Sequence, residues 1–328
     1  MIARDTPITP PAPADGARVR ALGLLSGGLD SALAAKILLD QGIDVIALHL
    51  ESPTACRSDV HAVAQELGVP LVVRPKGEAY VALLRHPRWG YGRHMNPCID
   101  CRHFMFRIGA ACLEEFGAQF LFTGEVLGQR PMSQTRNAME LIDRAAGVAG
   151  WIVRPLSGAL LDVTEPERRG WIDRARMFSI AGRGRNLQLE LAQRWNLTRH
   201  QSPGGGCLLT DVHFSKRVRD LFDHTAGGEA TVDDLALLKL GRHVRVRPDL
   251  KIVLGRDHDE NRALARFEND GRWCVEPVGA SAPTALVCGS RDDSNLEAAI
   301  GLIVAHARRA PDGVQVRWRD AQGRERSR

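Results

Sequence analysis

The chain has 328 residues, 44% of them hydrophobic and 25% charged, with a formal net charge of +5 and a pI near 9.0. That length is enough for two domains and a large core, in a composition ordinary for a soluble globular protein. No apolar run is long enough to cross a membrane, and the proline-rich start, Met1 to Ala14, lacks the apolar core of a signal peptide. Residues 1–18 are therefore expected to be a disordered tail on a cytoplasmic protein.

Val19–Leu25 reads as a strand and Asp30–Gln41 as a helix, with Ser26-Gly27-Gly28-Leu29-Asp30-Ser31 between them. Paired glycines let the backbone turn tightly and approach a ligand. The start of the following helix offers unpaired N–H groups and a positive dipole end to an anion. Ser26 and Ser31 add hydroxyl donors. Asp30 is a poor phosphate contact and reads as a helix cap or a Mg²⁺ ligand. The lysine of the G-x-x-x-x-G-K-[ST] loop is missing.

Further along come a strand over Asp44–Leu50, a helix over Ala55–Leu67 and a strand over Val69–Val73. A helix over Ile99–Phe116, a strand over Gln119–Phe122, a helix over Ser133–Ala146 and a short strand over Trp151–Val153 follow. This alternation, with near-continuous apolar strands, predicts an α/β fold: a doubly wound parallel sheet covered on both faces. Ligands of such sheets bind beyond the carboxyl ends of the strands. The glycine loop, Glu51–Ser52 and Thr123-Gly124-Glu125 should then share one rim, in a domain over 19–160.

Residues 161–226 read as a basic helical extension; 168–199 carry eight arginines against Asp173 and Glu190. Residues 227–322 read as a smaller α+β domain. In it Val244-Arg245-Val246-Arg247 is a period-two strand with one basic face. Lys251–Leu254, Trp273–Glu276 and Ala285–Cys288 are its expected neighbours, Leu296–Ala307 a helix and 323–328 a polar tail. Residues 239–256 carry six basic side chains against Asp249. Two basic segments hint at a polyanionic partner.

The seven cysteines are Cys56, Cys98, Cys101, Cys112, Cys207, Cys274 and Cys288. An odd count without a secretion signal argues against a disulfide scaffold. Cys98-Ile99-Asp100-Cys101 opens a helix, where thiol pKa values fall. With Cys207, after the glycine-rich Ser202–Gly206, it makes a candidate trio. Three thiolates could hold an iron–sulfur cluster with one iron free of protein ligands, unlike the usual four-cysteine ligation. Alternatively, one cysteine carries a persulfide that another resolves as a disulfide. Cys56, Cys112, Cys274 and Cys288 read as small buried apolar residues. His94 and His103 flank the pair and read as ordinary polar residues.

The hexapeptide resembles the SGGxDS loop of the PP-loop ATP pyrophosphatases. Together with Asn96–Cys101, Thr123–Ser133, Arg154-Pro155-Leu156, Gly182–Gln188 and Gly204–Asp211, it makes the chain similar to PP-loop tRNA thiolation enzymes, the 4-thiouridine synthetase and 2-thiouridylase groups. Gly241-Arg242-His243, Leu254-Gly255-Arg256 and Glu260-Asn261 resemble the small RNA-binding module of NFACT-type proteins.

The resemblance implies an ATP-dependent tRNA sulfurtransferase. It would adenylate a uridine carbonyl oxygen, release pyrophosphate and let sulfur displace AMP. It implies ATP and Mg²⁺ held by Ser26, Gly27, Gly28, Asp30, Ser31, His49, Leu50, Thr123, Gly124 and Arg130. It also implies catalytic roles for Asp30, Cys98, Cys101 and Cys207, with a [4Fe-4S] cluster on the three cysteines and charge neutralisation by Arg130 and Arg154. Only a short tail precedes the loop and no rhodanese-like segment follows. The sulfur is thus expected from a persulfide protein or free sulfide, with tRNA as the other partner, no membrane partner, and a homodimer as a compatible assembly. Two alternatives stand beside this reading. One is a PP-loop enzyme moving sulfur into or out of a small molecule; the other is a non-enzymatic RNA- or cluster-binding protein.

Overall fold

The structure, a computed structural model, describes residues 7–13, 16–55, 59–200, 207–225, 230–307, 314–320 and 322–328. It divides into two compact units, Met1–Thr210 and Asp211–Arg328.

The first unit is built on β1 (Arg20–Leu24), α1 (Leu29–Leu39), β2 (Asp44–Glu51), α2 (Val60–Leu67), β3 (Leu71–Pro75), α3 (Gly77–Arg85), α4 (Cys98–Cys112), β4 (Phe120–Thr123), α5 (Arg136–Ala145) and β5 (Ile152–Val153). The strands form one parallel sheet in the order β3-β2-β1-β4-β5. Two apolar clusters cover its faces. One joins Leu33, Leu38 and Ile37 of α1 to Ala21, Val45, Phe120 and Phe122; the other joins Phe106 and Ile142 of α4 and α5 to Leu22, Leu48 and Leu121. Burial on both faces is why these strands show no polar alternation. The doubly wound α/β expectation therefore holds. The chain leaves β1 towards β2 on one side and later adds β4 on the other, so the crevice beyond the β1 and β4 carboxyl ends is the topological switch point.

Sequence patterning failed at particular places. Ile8, within the expected tail, donates its N–H to Gly147 O at 2.9 Å and packs against the second cluster. Asp30 is not a helix cap: Gly28 occupies that position, with no side-chain capping bond, and Asp30 sits in the first turn. Helix α3 was not anticipated. Residues 202–206 and Cys56, singled out above, lie outside the described residues. The basic stretch from 161 is not one helical extension. Short helices α6 (Glu165–Arg168) and α7 (Asn186–Arg194) belong to the first unit, and α8 (Val212–Asp223) to the second.

The second unit continues with α9 (Val232–Leu237), β6 (Arg242–Arg247), β7 (Leu250–Leu254), α10 (His258–Leu264), β8 (Arg272–Val278), β9 (Ala285–Cys288), α11 (Asp293–His306), β10 (Gln315–Arg319) and β11 (Glu325–Ser327). Its sheet runs β11-β10-β8-β9-β7-β6, and every pair is antiparallel. The expected polar tail is instead strand β11, registered with β10 through Arg317 and Ser327. Its exposed, charged residues suit a sheet edge and hid it from a hydrophobic-pattern reading. The basic face of β6 is occupied: Arg245 grips both oxygens of Asp220 at 2.9 Å, and Lys251 Nζ reaches Asp220 Oδ2 at 2.8 Å. This explains why α8 belongs to this unit.

Candidate active site

The glycine loop lies directly beyond β1. Gly27 has φ +76°, the left-handed conformation that a glycine supplies at least cost. Ser31 Oγ donates to Gly28 O at 2.9 Å and accepts from the Ser26 N–H at 3.3 Å, closing the turn over the start of α1. The first intrahelical bond runs from Ala32 N–H to Gly28 O, so the amides before it have no helical acceptor. Ser26 is exposed beside them. Charge-accepting donors at the positive end of a helix make an anion cradle.

The strand on the other side of the switch point supports this cradle. Gly124, after β4, packs against the Asp30 backbone, where a side chain could not fit. Asp30 Oδ2 accepts from Gln129 Nε2 at 3.1 Å and from Arg185 Nη2 at 3.3 Å. Asp30 Oδ1 is buried with no hydrogen-bond partner. His49 Nδ1 sits 2.8 Å from Leu25 O, which ties the end of β2 to the loop. Leu50 is buried there and Thr123 closes β4.

Behind the loop is a charged layer. Glu125, almost fully buried, accepts from Arg154 Nε at 2.9 Å and faces Arg102 Nε at 3.4 Å. Arg154 also binds Asp143 in a two-pronged bridge of 2.7 and 2.8 Å. Burial alone would lower the Arg154 pKa, but Asp143 and Glu125 outweigh it and hold the guanidinium charged. Burial and the neighbouring Arg102 depress Arg130, which feels the charges of Cys98, Glu125 and Asp30. Arg130 is thus within electrostatic reach of both Asp30 and Cys98.

Cys98 and Cys101 are on the first turn of α4, after Pro97. Cys207 reaches them through the loop after β2: Leu208 N–H donates to Thr54 O at 3.1 Å, Thr54 Oγ1 lies 3.2 Å from Tyr80 OH, and Cys101 Sγ lies 3.8 Å from the same hydroxyl. The Cys101 charge disfavours ionisation of both Cys98 and Cys207. Buried Lys76, directly after β3, donates to Cys101 Sγ at 3.3 Å. Burial would raise the Cys101 pKa; Lys76 and Arg102 outweigh it and hold it below the ordinary value. Burial pushes Cys98 up and Cys207 up to about 11. The trio is therefore unequal, with Cys101 as the favoured thiolate. Among the described residues, no three His, Cys, Asp or Glu side chains form a group able to hold a single metal ion.

The structure gathers Ser26, Gly27, Gly28, Asp30, Ser31, His49, Leu50, Thr123, Gly124 and Arg130 at the β1–β4 rim, and Cys98, Cys101 and Cys207 beside it. Sequence reasoning missed Lys76, Tyr80, Thr54 and Arg102, and gave no role to Glu125 or Arg185, although both lie in stretches it singled out. Of these, Lys76 carried a signal: it follows a strand on the rim already identified. His103 proves structural, 3.3 Å from Ala145 O and edge-on to Trp89. Cys112 and Cys274 are buried as expected, and Cys288 is partly buried.

A doubly wound parallel sheet thus carries a Ser-Gly-Gly cradle at its switch point and a Cys-x-x-Cys on the same rim. Residues 16–162 match the family described as thiamine biosynthesis protein (ThiI), and 241–328 match the NFACT protein RNA binding domain. A probable tRNA sulfurtransferase of Thermococcus kodakarensis is 28% identical over 44% of this chain and 38% of its own length. One from Thermus thermophilus is 31% identical over 44% and 36%. A tRNA-specific 2-thiouridylase of Cutibacterium acnes is 33% identical over 30% and 31%. The chain thus spans under two fifths of the length of these curated relatives. Among solved structures, a 4-thiouridine synthetase–RNA complex with bound ATP aligns over 54% of this chain and 50% of that one, at 22% identity and a TM-score of 0.35.

Proposed function

We propose that this protein is an ATP-dependent tRNA sulfurtransferase that forms AMP and pyrophosphate. The observation that carries the reading is the joining, on one rim, of an anion cradle and three interacting thiols. The triphosphate would lie on Ser26–Ser31. A uridine carbonyl oxygen would attack the α-phosphorus while the bond to the β-phosphate bridging oxygen breaks, its electron pair leaving with pyrophosphate. A hydrosulfide, or the terminal sulfur of a persulfide, would then add to the activated carbon and expel AMP. In the persulfide case a second thiol takes the sulfane linkage as a disulfide, which a thiol reductant must reopen. The chain contributes mainly position and charge: backbone donors from the loop, and the positive charge of Arg130.

Asp30 Oδ1, buried without a partner, suits a Mg²⁺ ligand or a water of its shell. Cys98, Cys101 and Cys207 offer the soft donors that a [4Fe-4S] cluster requires. Such a cluster would supply an iron open to sulfide; the same thiols equally suit a persulfide pathway. The 241–328 match supports RNA contact by the second unit. Sulfur supply by a partner protein or free sulfide, work in the cytoplasm and assembly as a homodimer complete the proposal. Among the described residues no helix is long and apolar enough to cross a membrane.

Pyrophosphate release from ATP, measured with and without tRNA and sulfide, tests the reading. A strong joint dependence, with a thionucleoside appearing in the digested tRNA, is expected. Release indifferent to tRNA would overturn it. One observation favours a small-molecule substrate instead: Arg245, on the basic face of β6, is already bound to Asp220. Under that reading a tRNA digest would show no new thionucleoside.

A further inference from the structure

Arg185 is far from the glycine loop in sequence, yet the fold delivers it there. Gly182 N–H donates to Leu127 O at 2.7 Å, Leu127 and Ala181 form a parallel bridge, and Ser157 Oγ, bonded to Leu127 N–H at 3.0 Å, donates to Ile180 O at 2.6 Å. This stitching fixes residues 180–185 against the loop that follows β4. From there Arg185 Nη2 reaches Asp30 Oδ2 at 3.3 Å. The pair is incomplete on both sides. Arg185 Nε and Asp30 Oδ1 are each buried and each lack any hydrogen-bond partner. A buried charged group left with an open donor or acceptor is costly unless something completes it. Both openings lie at the N-terminus of α1, beside the exposed Ser26. A ligand that completes both must present anionic oxygens to the guanidinium and a cation or water to the carboxylate. A magnesium-bound polyphosphate does this.

We infer that Arg185 binds the β- and γ-phosphates of ATP and neutralises the pyrophosphate as it leaves. The inference rests on the reading of Ser26–Ser31 as a triphosphate cradle. In the cleavage the electron pair of the broken α–β bridge moves onto the β-phosphate oxygen. A guanidinium fixed beside that oxygen stabilises the charge as it develops. Asp30 holds Arg185 in place before nucleotide arrives, so no side chain must be ordered on binding.

The test is calorimetric binding of an α,β-methylene ATP analogue and of AMP, each with Mg²⁺, to the full chain without tRNA. Arg185→Ala should weaken the triphosphate analogue by about ten- to a hundredfold, the range of a charge-assisted contact, and leave AMP affinity unchanged. Arg185→Lys should fall between, because it keeps the charge and loses the planar fork; it also carries the comparison if the alanine variant does not fold. Equal weakening of both nucleotides would mean a structural role and overturn the inference, as would wild-type affinity for both in the variants. Wild-type protein that binds the analogue while the variants fail to discriminate leaves the cradle standing and removes Arg185 alone. Wild-type protein that binds neither nucleotide removes the cradle reading and the inference with it.

Discussion

Gly124 and Asp30 stand back to back across the switch point. A Cβ built on Gly124 would lie 2.3 Å from the Asp30 carbonyl carbon and 2.4 Å from both the Asp30 oxygen and the Ser31 nitrogen. All three are backbone atoms at the start of α1, so no side-chain rotation relieves the clash. Gly124→Ala must push the end of β4 and the cradle apart. Weakened ATP binding by at least about tenfold, with a lowered Tm, is the expected outcome; overpacking of this kind costs about 1–3 kcal/mol. Unchanged ATP affinity would show that the two segments are not held this closely.

Lys76 and Cys101 make a second pairing that decides chemistry. The ammonium donates to the sulfur at 3.3 Å and helps to hold the thiol below its ordinary pKa against the opposing effect of burial. Lys76→Met keeps the bulk and removes the charge. Alkylation of Cys101 by iodoacetamide at neutral pH should slow, and its pH profile should move to higher pH. Cys207, pushed up to about 11 by burial, should alkylate slowly in both proteins. Equal Cys101 rates in wild type and variant would remove Lys76 from the site.

Arg154 is the sole cation within hydrogen-bonding distance of both Glu125 and Asp143 among the described ion pairs, and it is only 6% exposed. Its removal strands the Asp143 carboxylate and leaves Glu125 with Arg102 alone at 3.4 Å. Asp143, already raised by burial despite Arg154, would then take up a proton. Arg154→Leu should destabilise the first unit by about 3–5 kcal/mol, as for other buried pairs broken on one side, and the loss should be smaller at pH 5 than at pH 7.5. Urea unfolding at the two pH values checks both statements.

How much of this was legible follows from which residues carry local signals. Ser26–Ser31 is contiguous, and its strand and helix are periodic, so loop, fold class and rim could be read directly. Cys98 and Cys101 are adjacent in sequence and their pairing was plain. Lys76, Thr54 and Tyr80 come from three separate segments, and only the parallel order β3-β2-β1 brings the first two to one edge. Arg185 was visible in a basic stretch and in the Gly182–Gln188 resemblance, but not its partner Asp30, because the stitching of Ala181 to Leu127 is a long-range pairing. In the second unit the period-two pattern of β6 was right. What it could not show was Asp220, on α8, occupying the basic face. The same limit hid β11, an edge strand with little apolar content to mark it.

The second unit should lose stability in two separate acid windows. Burial first, and then Lys251 and Arg217, drive the His243 pKa down to about 3. Its Nε2 lies 2.8 Å from Leu240 O. Below the ordinary imidazole value of about 6.5, the unfolded chain takes a proton that the folded one refuses. Stability therefore falls with pH from about 6.5 towards 3, by at most about 1.4 kcal/mol per pH unit for one proton. Asp220 behaves differently. Burial would raise its carboxyl, but Arg245 and Lys251 outweigh it and hold the group well below the usual carboxylate range. Its contribution is fully present above the unfolded value of about 3.9 and disappears only as pH falls beneath it. His243→Asn should therefore flatten the loss between pH 6.5 and 4.5, and Asp220→Asn should lower stability at pH 7 by about 2 kcal/mol without altering that slope. Hydrogen exchange of the β7 amides at pH 7, 5.5 and 4.5 reads the unit locally. An unchanged slope in the His243 variant would show that this imidazole is protonated in the folded protein.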